Sequence, residues 1–211
     1  MITLARYIII EHFNLAVDGA LLFAVGLFIA VPTVKYRLGF AEWLPLKFMK
    51  LVQRLMGPSA SFWRIVFVIW VFNSMAMFIY MASGFHQLIP QIFAIWTGLN
   101  IGVIIAHSQR EAREGRGTFL FDQPPGSWKP SPAIAGMCGL LVLFLELACF
   151  FYVIALGMRM GAEVSWGGVG YLDSLQPRAT AYAAVIMPLL FISAVAETIA
   201  IRGGMPEEIE V

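Results

Sequence analysis

A chain of 211 residues that is 60% hydrophobic, 13% charged and carries a formal net charge of +1 has too little polar surface to close a water-soluble fold of its size. Soluble domains hold about 25% charged residues, roughly twice this share. The near-neutral balance, with no basic run interleaved with aromatics, also gives no footing for nucleic acid, and the bilayer is the natural solvent.

A hydrocarbon core of about 30 Å needs roughly 20 mostly apolar residues in a helix. Five segments meet this, and the first is residues 7–34. Arg6 precedes it, but Glu11, His12 and Asp18 interrupt its apolar start, and it runs far beyond the apolar region of a secretory signal. It reads as a membrane helix. Residues 42–56 follow, with Lys47, Lys50 and Arg54 on one helical face and Leu44, Phe48, Leu51, Val52 and Leu55 on the other. That pattern predicts an amphipathic helix lying in the headgroup plane, ended by Gly57-Pro58.

The second span is 62–82, and Ser83-Gly84 makes a tight turn into the third, 85–106. A polar stretch, 108–131, carries Arg110, Glu111, Arg113, Glu114, Arg116 and Lys129. The fourth span is 132–160, reaching at least to Leu156. Residues 162–177, with three glycines, Trp166 and Tyr171, read as a loop at the interface, and the fifth span is 178–201. The expected fold is therefore all-α: one integral membrane domain over 1–211, a polytopic bundle of five transmembrane helices plus one interfacial amphipathic helix.

Basic residues set the expected orientation. Lys35, Arg37, Lys47, Lys50, Arg54, Arg64, Arg110, Arg113, Arg116, Lys129 and Arg202 fall on one side or at its helix ends. Arg6, Arg159 and Arg178 fall on the other. The richer side faces the cytoplasm by the positive-inside rule, leaving the N-terminus outside a cell or inner membrane and the C-terminus cytoplasmic. Anionic lipid would then attract the cations of the interfacial helix.

Ionisable residues in a membrane are costly, so each is a functional candidate. Glu11 and Asp18 share a face of the first helix, with Asp18 expected near mid-membrane. Glu146 lies near the middle of the fourth helix and Glu197 late in the fifth, and Asn14, Asn73 and Asn100 add amides. They form either a polar path for a cation or proton, or hydrogen bonds that fix neighbouring helices. His12 and His86 fall near the outer face, where each could ligate a haem or hold a chlorophyll. His107 lies about 30 Å from His86 by helix rise and cannot join them. No histidine or cysteine spacing suggests a metal site. Cys138 and Cys149 are about 16 Å apart along one helix, too far to bridge. There is no G-x-S-x-G, P-loop, H-E-x-x-H or G-x-G-x-x-G, so nothing argues for catalysis.

Small residues carry a clearer signal. Ala94, Gly98, Gly102 and Ala106 recur every four positions on the third helix, and Gly157 and Gly161 repeat the spacing on the fourth. Such ridges let helices approach closely, whether in one chain or between chains. Pro188 should kink the fifth helix and free a carbonyl.

Phe72-Asn73, Ser83-Gly84, Pro90, Phe93, Gly98 and Gly102 together resemble the central segment of the stage II sporulation protein M family. Glu146-Leu147-Ala148, the run Ala155 to Gly161, and the closing helix from Pro188 to Glu197 are similar to later parts of that family. Leu145 stands before Glu146 where many relatives would carry a Pro-His pair nearby. The resemblance implies a non-enzymatic integral membrane protein.

Three readings follow. The first is a subunit or scaffold that docks other membrane chains or further copies of itself. The second is a transport or channel component using Asp18, Glu146 and Glu197. The third is an accessory subunit of a redox or photosynthetic complex, with a pigment or haem on His12 or His86.

Overall fold

The structure, a computed structural model, describes residues 10, 12–36, 38–57, 60–113 and 130–203. Among them every regular element is helical. Seven α-helices follow in order: α1 (Phe13–Lys35), α2 (Gly39–Met56), α3 (Phe62–Ala82), α4 (Leu88–Arg113), α5 (Pro132–Trp166), α6 (Tyr171–Ala181) and α7 (Met187–Gly203). A π-helical turn, Tyr182–Ile186, joins α6 to α7 without a break. Five helices are long and apolar enough to cross a membrane: α1, α3, α4 from Leu88 to His107, α5, and the continuous run Tyr171–Gly203. The chain is an all-α multi-pass membrane bundle with α2 as its amphipathic extra.

Helix starts follow local chemistry. Ser61 and Ser131 have extended backbones and accept from Arg64 N and Ile134 N, capping α3 and α5. Pro132 stands at the first position of α5, where its missing N–H is no loss. α4 begins at Leu88, three residues later than expected, because 83–87 form the turn. In that turn His86 Nδ1 accepts from Leu88 N at 3.2 Å.

The expected loop at 162–177 is corrected by the structure. α5 continues to Trp166, α6 starts at Tyr171, and only Gly167–Gly170 separates them. Polarity read as a loop is instead a set of side chains that satisfy one another. Glu163 Oε1 takes Arg178 Nη2 at 2.8 Å and Arg159 Nε at 3.1 Å, while Ser174 Oγ donates to Glu163 Oε2 at 2.9 Å. Arg178 Nη1 also donates to the Ser174 carbonyl at 2.6 Å. Gly168, at φ +64°, makes the reversal between the helices.

α1 and α4 form the most extensive helix pair. Ala16, Gly19, Phe23, Gly26, Ala30 and Thr33 alternate at spacings of three and four and are the buried face of α1. A methyl group on Gly98 would fall 2.1 Å from the Phe23 carbonyl, and one on Gly26 at the Ile95 carbonyl. One on Gly102 would come 2.5 Å from Ala30 Cβ. The ridge of Ala94, Gly98 and Gly102 is thus filled by the chain's own first helix. In a bilayer, where lipid is as apolar as leucine, such close contact is the main force joining helices.

The two ends of the bundle are tied differently. At one, Tyr171 Oη donates to the Ala82 carbonyl at 2.7 Å and Trp166 Nε1 to Gln87 Oε1 at 3.2 Å. At the other, Arg64 Nη2 donates to the Leu55 carbonyl at 3.0 Å, and the Arg202 guanidinium lies 5.4 Å from the Phe62 ring centroid.

Candidate functional site

α3, α5 and α7 converge on Glu146. Asn73 Nδ2 donates to Glu146 Oε1 at 2.7 Å, and Ser193 Oγ donates to the same oxygen at 3.3 Å. Glu197 lies one turn beyond Ser193 on α7. The four residues come from helices far apart in sequence, and each is placed by apolar packing on its flanks.

α3 supplies a ladder of polar contacts along this seam. Trp70 Nε1 donates to the Met187 carbonyl at 3.1 Å, Asn73 binds Glu146, and the Ser74 carbonyl accepts from Tyr182 Oη at 2.5 Å. Trp70, Asn73 and Ser74 lie at i, i+3 and i+4, so one face of α3 makes all three contacts. Two partners depend on the π-turn. Tyr182 opens it, and Met187 N closes it by bonding back to the Tyr182 carbonyl. Pro188 follows immediately. The π-turn thus ends two residues before the proline expected to kink this span, and such turns are often found at functional sites.

Of the residues singled out from the sequence, the fold brings Asn73, Glu146 and Glu197 together. Ser193 was missed, because a serine in an apolar helix signals nothing until its neighbour across the seam is known. Asn100 lies elsewhere, on α4, lining a groove beside α2. Asp18 is also apart from the carboxylates and is exposed. It lines a shallow pocket of about 350 Å³ with Gln87, Gln91 and Met158, level with the start of α4 rather than mid-bundle as expected. Glu11 lies outside the described residues, so its shared face with Asp18 is not seen.

Gly157 and Gly161 meet the 83–90 segment. A methyl on Gly157 would lie 3.0 Å from the Tyr80 carbonyl, and one on Gly161 2.5 Å from Gln87 Cα. Ala106, at the end of the α4 ridge, is half-buried. His12 is buried and His86 exposed, with His86 Nδ1 engaged in capping α4. Among the described residues no three His, Cys, Asp or Glu side chains are grouped to hold a metal ion. Cys138 and Cys149 are free thiols.

What this geometry offers chemically is a pair of nearby carboxyl groups with two hydrogen-bond donors on one of them, set within apolar helices. No family model, no curated protein and no solved structure matches the chain.

Proposed function

We propose that the chain is a non-enzymatic subunit or scaffold of a membrane assembly, docking another transmembrane segment on the first half of α5. One observation carries this. Among the described residues Gly136 and Gly139 have nothing within 4 Å of an added methyl group, whereas Gly19, Gly26, Gly98, Gly102, Gly157 and Gly161 are all packed against neighbours. Met137, Leu140 and Phe144 stand out from the same stretch. Glycine weakens a helix by about 1 kcal/mol relative to alanine, and two of them toward lipid return nothing unless another helix approaches. The resemblance to the stage II sporulation protein M family points the same way. The docked segment belongs to another chain or to a second copy. We place the protein in a cell membrane with its N-terminus outside and its C-terminus in the cytoplasm, on the eleven-to-three bias of basic residues in the sequence.

The test is extraction in mild detergent with mass spectrometry of co-migrating chains. Wild type should carry a stoichiometric partner. A Gly136→Leu/Gly139→Leu double variant should insert and fold but lose it. A wild-type chain that migrates alone would overturn the proposal.

A second reading rests on Glu146 and Glu197. A carboxyl group bonded to Ser193, with a second carboxyl one turn beyond that serine on α7, could pass a proton or hold a cation within a transport or channel component. Liposome flux abolished by Glu146→Gln would support it. Flux equal to wild type in Glu146→Gln and Glu197→Gln would remove it.

A further inference from the structure

The cations of α2 do more than decorate a helix surface. Lys47, Lys50 and Arg54 line the mouth of a groove of about 950 Å³ between α2, α3 and α4. Its walls include Ala76 and Tyr80 from α3, Trp96, Asn100 and Ile104 from α4, and Trp43 and Leu51 from α2. The volume lies at the upper end of the range for ligand sites, about 300–1,000 Å³.

The groove sets three cations of α2 against a largely apolar and aromatic wall from α3 and α4. All three cations are exposed, and Lys47 Nζ sits 4.1 Å from the Trp43 ring centroid, held beside the mouth. On α4 the lining runs from Ile104 through Asn100 to Trp96, eight residues or about 12 Å of helix rise. That is comparable to the hydrocarbon of one leaflet, about 15 Å. Along the wall the Asn100 Oδ1 atom is buried and has no hydrogen-bond partner among the described residues. A buried amide oxygen left so is costly in a membrane, where water does not compensate. Turning the amide would present either its carbonyl or its NH2 to a hydroxyl or an ester.

We infer that this groove is a binding site for a single phosphate-headed, long-chain lipid, its anionic head on Lys47, Lys50 and Arg54 and one chain laid along Ala76, Trp96 and Tyr80, with Asn100 meeting the polar junction between them. Charge complementarity selects an anionic head. The apolar and aromatic wall selects a lipid chain over free phosphate. A phospholipid and an isoprenoid phosphate share this chemistry.

The test is native mass spectrometry of the full chain in nanodiscs of phosphatidylcholine containing a minor fraction of phosphatidylglycerol. Wild type should retain one phosphatidylglycerol after detergent release. Lys47→Glu/Lys50→Glu/Arg54→Glu changes only exposed side chains. It should weaken retention by at least about a hundredfold, since each cation removed contributes about fivefold. Ala76→Trp should fill the groove and abolish retention while leaving the cations in place. Competition separates the sources: an isoprenoid phosphate that displaces phosphatidylglycerol assigns the natural ligand to that class, and one that fails assigns it to phospholipid. Equal retention of phosphatidylcholine and phosphatidylglycerol, or undiminished retention in both variants, would overturn the inference. So would displacement by inorganic phosphate alone.

Discussion

The two halves of α5 belong to one helix and are nearly equal in hydrophobicity to the eye, yet they live in different surroundings. From Cys149 to Gly161 all but Phe151, Tyr152 and Arg159 are buried, and Val153, Ile154, Ala155 and Leu156 are fully so. From Pro132 to Ala148 only Ala135 is buried, while Met137 is 72% and Phe144 71% exposed. The buried half is clasped from several sides. Gly19 of α1 seats Ile154, Phe23 lies edge-on to Phe150 and Phe151, and Gly84 meets the Gly157 backbone. The first half packs on α7, where Gly203 meets Ala135, and reaches α3 and α7 through Glu146. Apolar content alone therefore does not place a membrane helix. What decides is whether a neighbouring backbone can approach, and glycine controls that.

The comparison breaks most sharply where glycine meets backbone. Gly161→Leu should be the most damaging change, since Gln87 Cα has no room to retreat. We expect a loss of about 3 kcal/mol or more, read as collapse of the monodisperse peak in detergent. A stable variant would mean that the α5 clasp is looser than its geometry. Next comes the ion-pair cluster that caps the buried half. Arg178→Ala strips Glu163 and Ser174 of a shared donor. Because Glu163 keeps some solvent contact, the expected loss is about 2 kcal/mol, below the range for fully buried pairs. Thermal unfolding followed by tryptophan fluorescence would measure it, and Arg178→Lys should recover only part, having one donor group in place of a fork.

At the boundary between the halves, Glu146→Leu removes the acceptor for Asn73 and Ser193. The expected cost is about 1 kcal/mol, in the range of interhelical polar contacts in membranes. Glu146→Gln keeps an acceptor and should cost less; if both variants behaved alike, the Asn73 contact would contribute nothing measurable. Smallest of all is the effect of Gly136→Leu or Gly139→Leu on the isolated chain, expected within about 0.5 kcal/mol of wild type. A large loss there would mean that the first half of α5 is covered by its own chain, and would remove the docking face proposed above.

Much of the fold was legible early. Runs of apolar residues near 20 long locate α1, α3, α4 and the body of α5, and the Lys47, Lys50, Arg54 register locates α2. The glycine ridge on α4 announced a close neighbour but not which one. The matching face of α1, with Gly19 and Gly26 at heptad-like positions, was also readable and was the missing half of that signal. The stretch 162–177 misled because its polar residues look like a solvated loop. Only the meeting of Glu163, Ser174 and Arg178 shows why it stays helical.

By itself, the amino-acid sequence determined the solvent and the class of structure. A chain this poor in charge must place its helices in lipid, and every backbone hydrogen bond must then close within a helix. Tertiary structure alone decided which polar residues share a site. Asn73, Glu146 and the Ser193–Glu197 pair are separated by dozens of positions, and no periodicity within one helix encodes which face of another it will meet. The same holds for the groove beside α2, whose cations and aromatic wall come from three helices. Partner choice between helices depends on the fit of whole surfaces, a property of the folded chain and not of any segment of it.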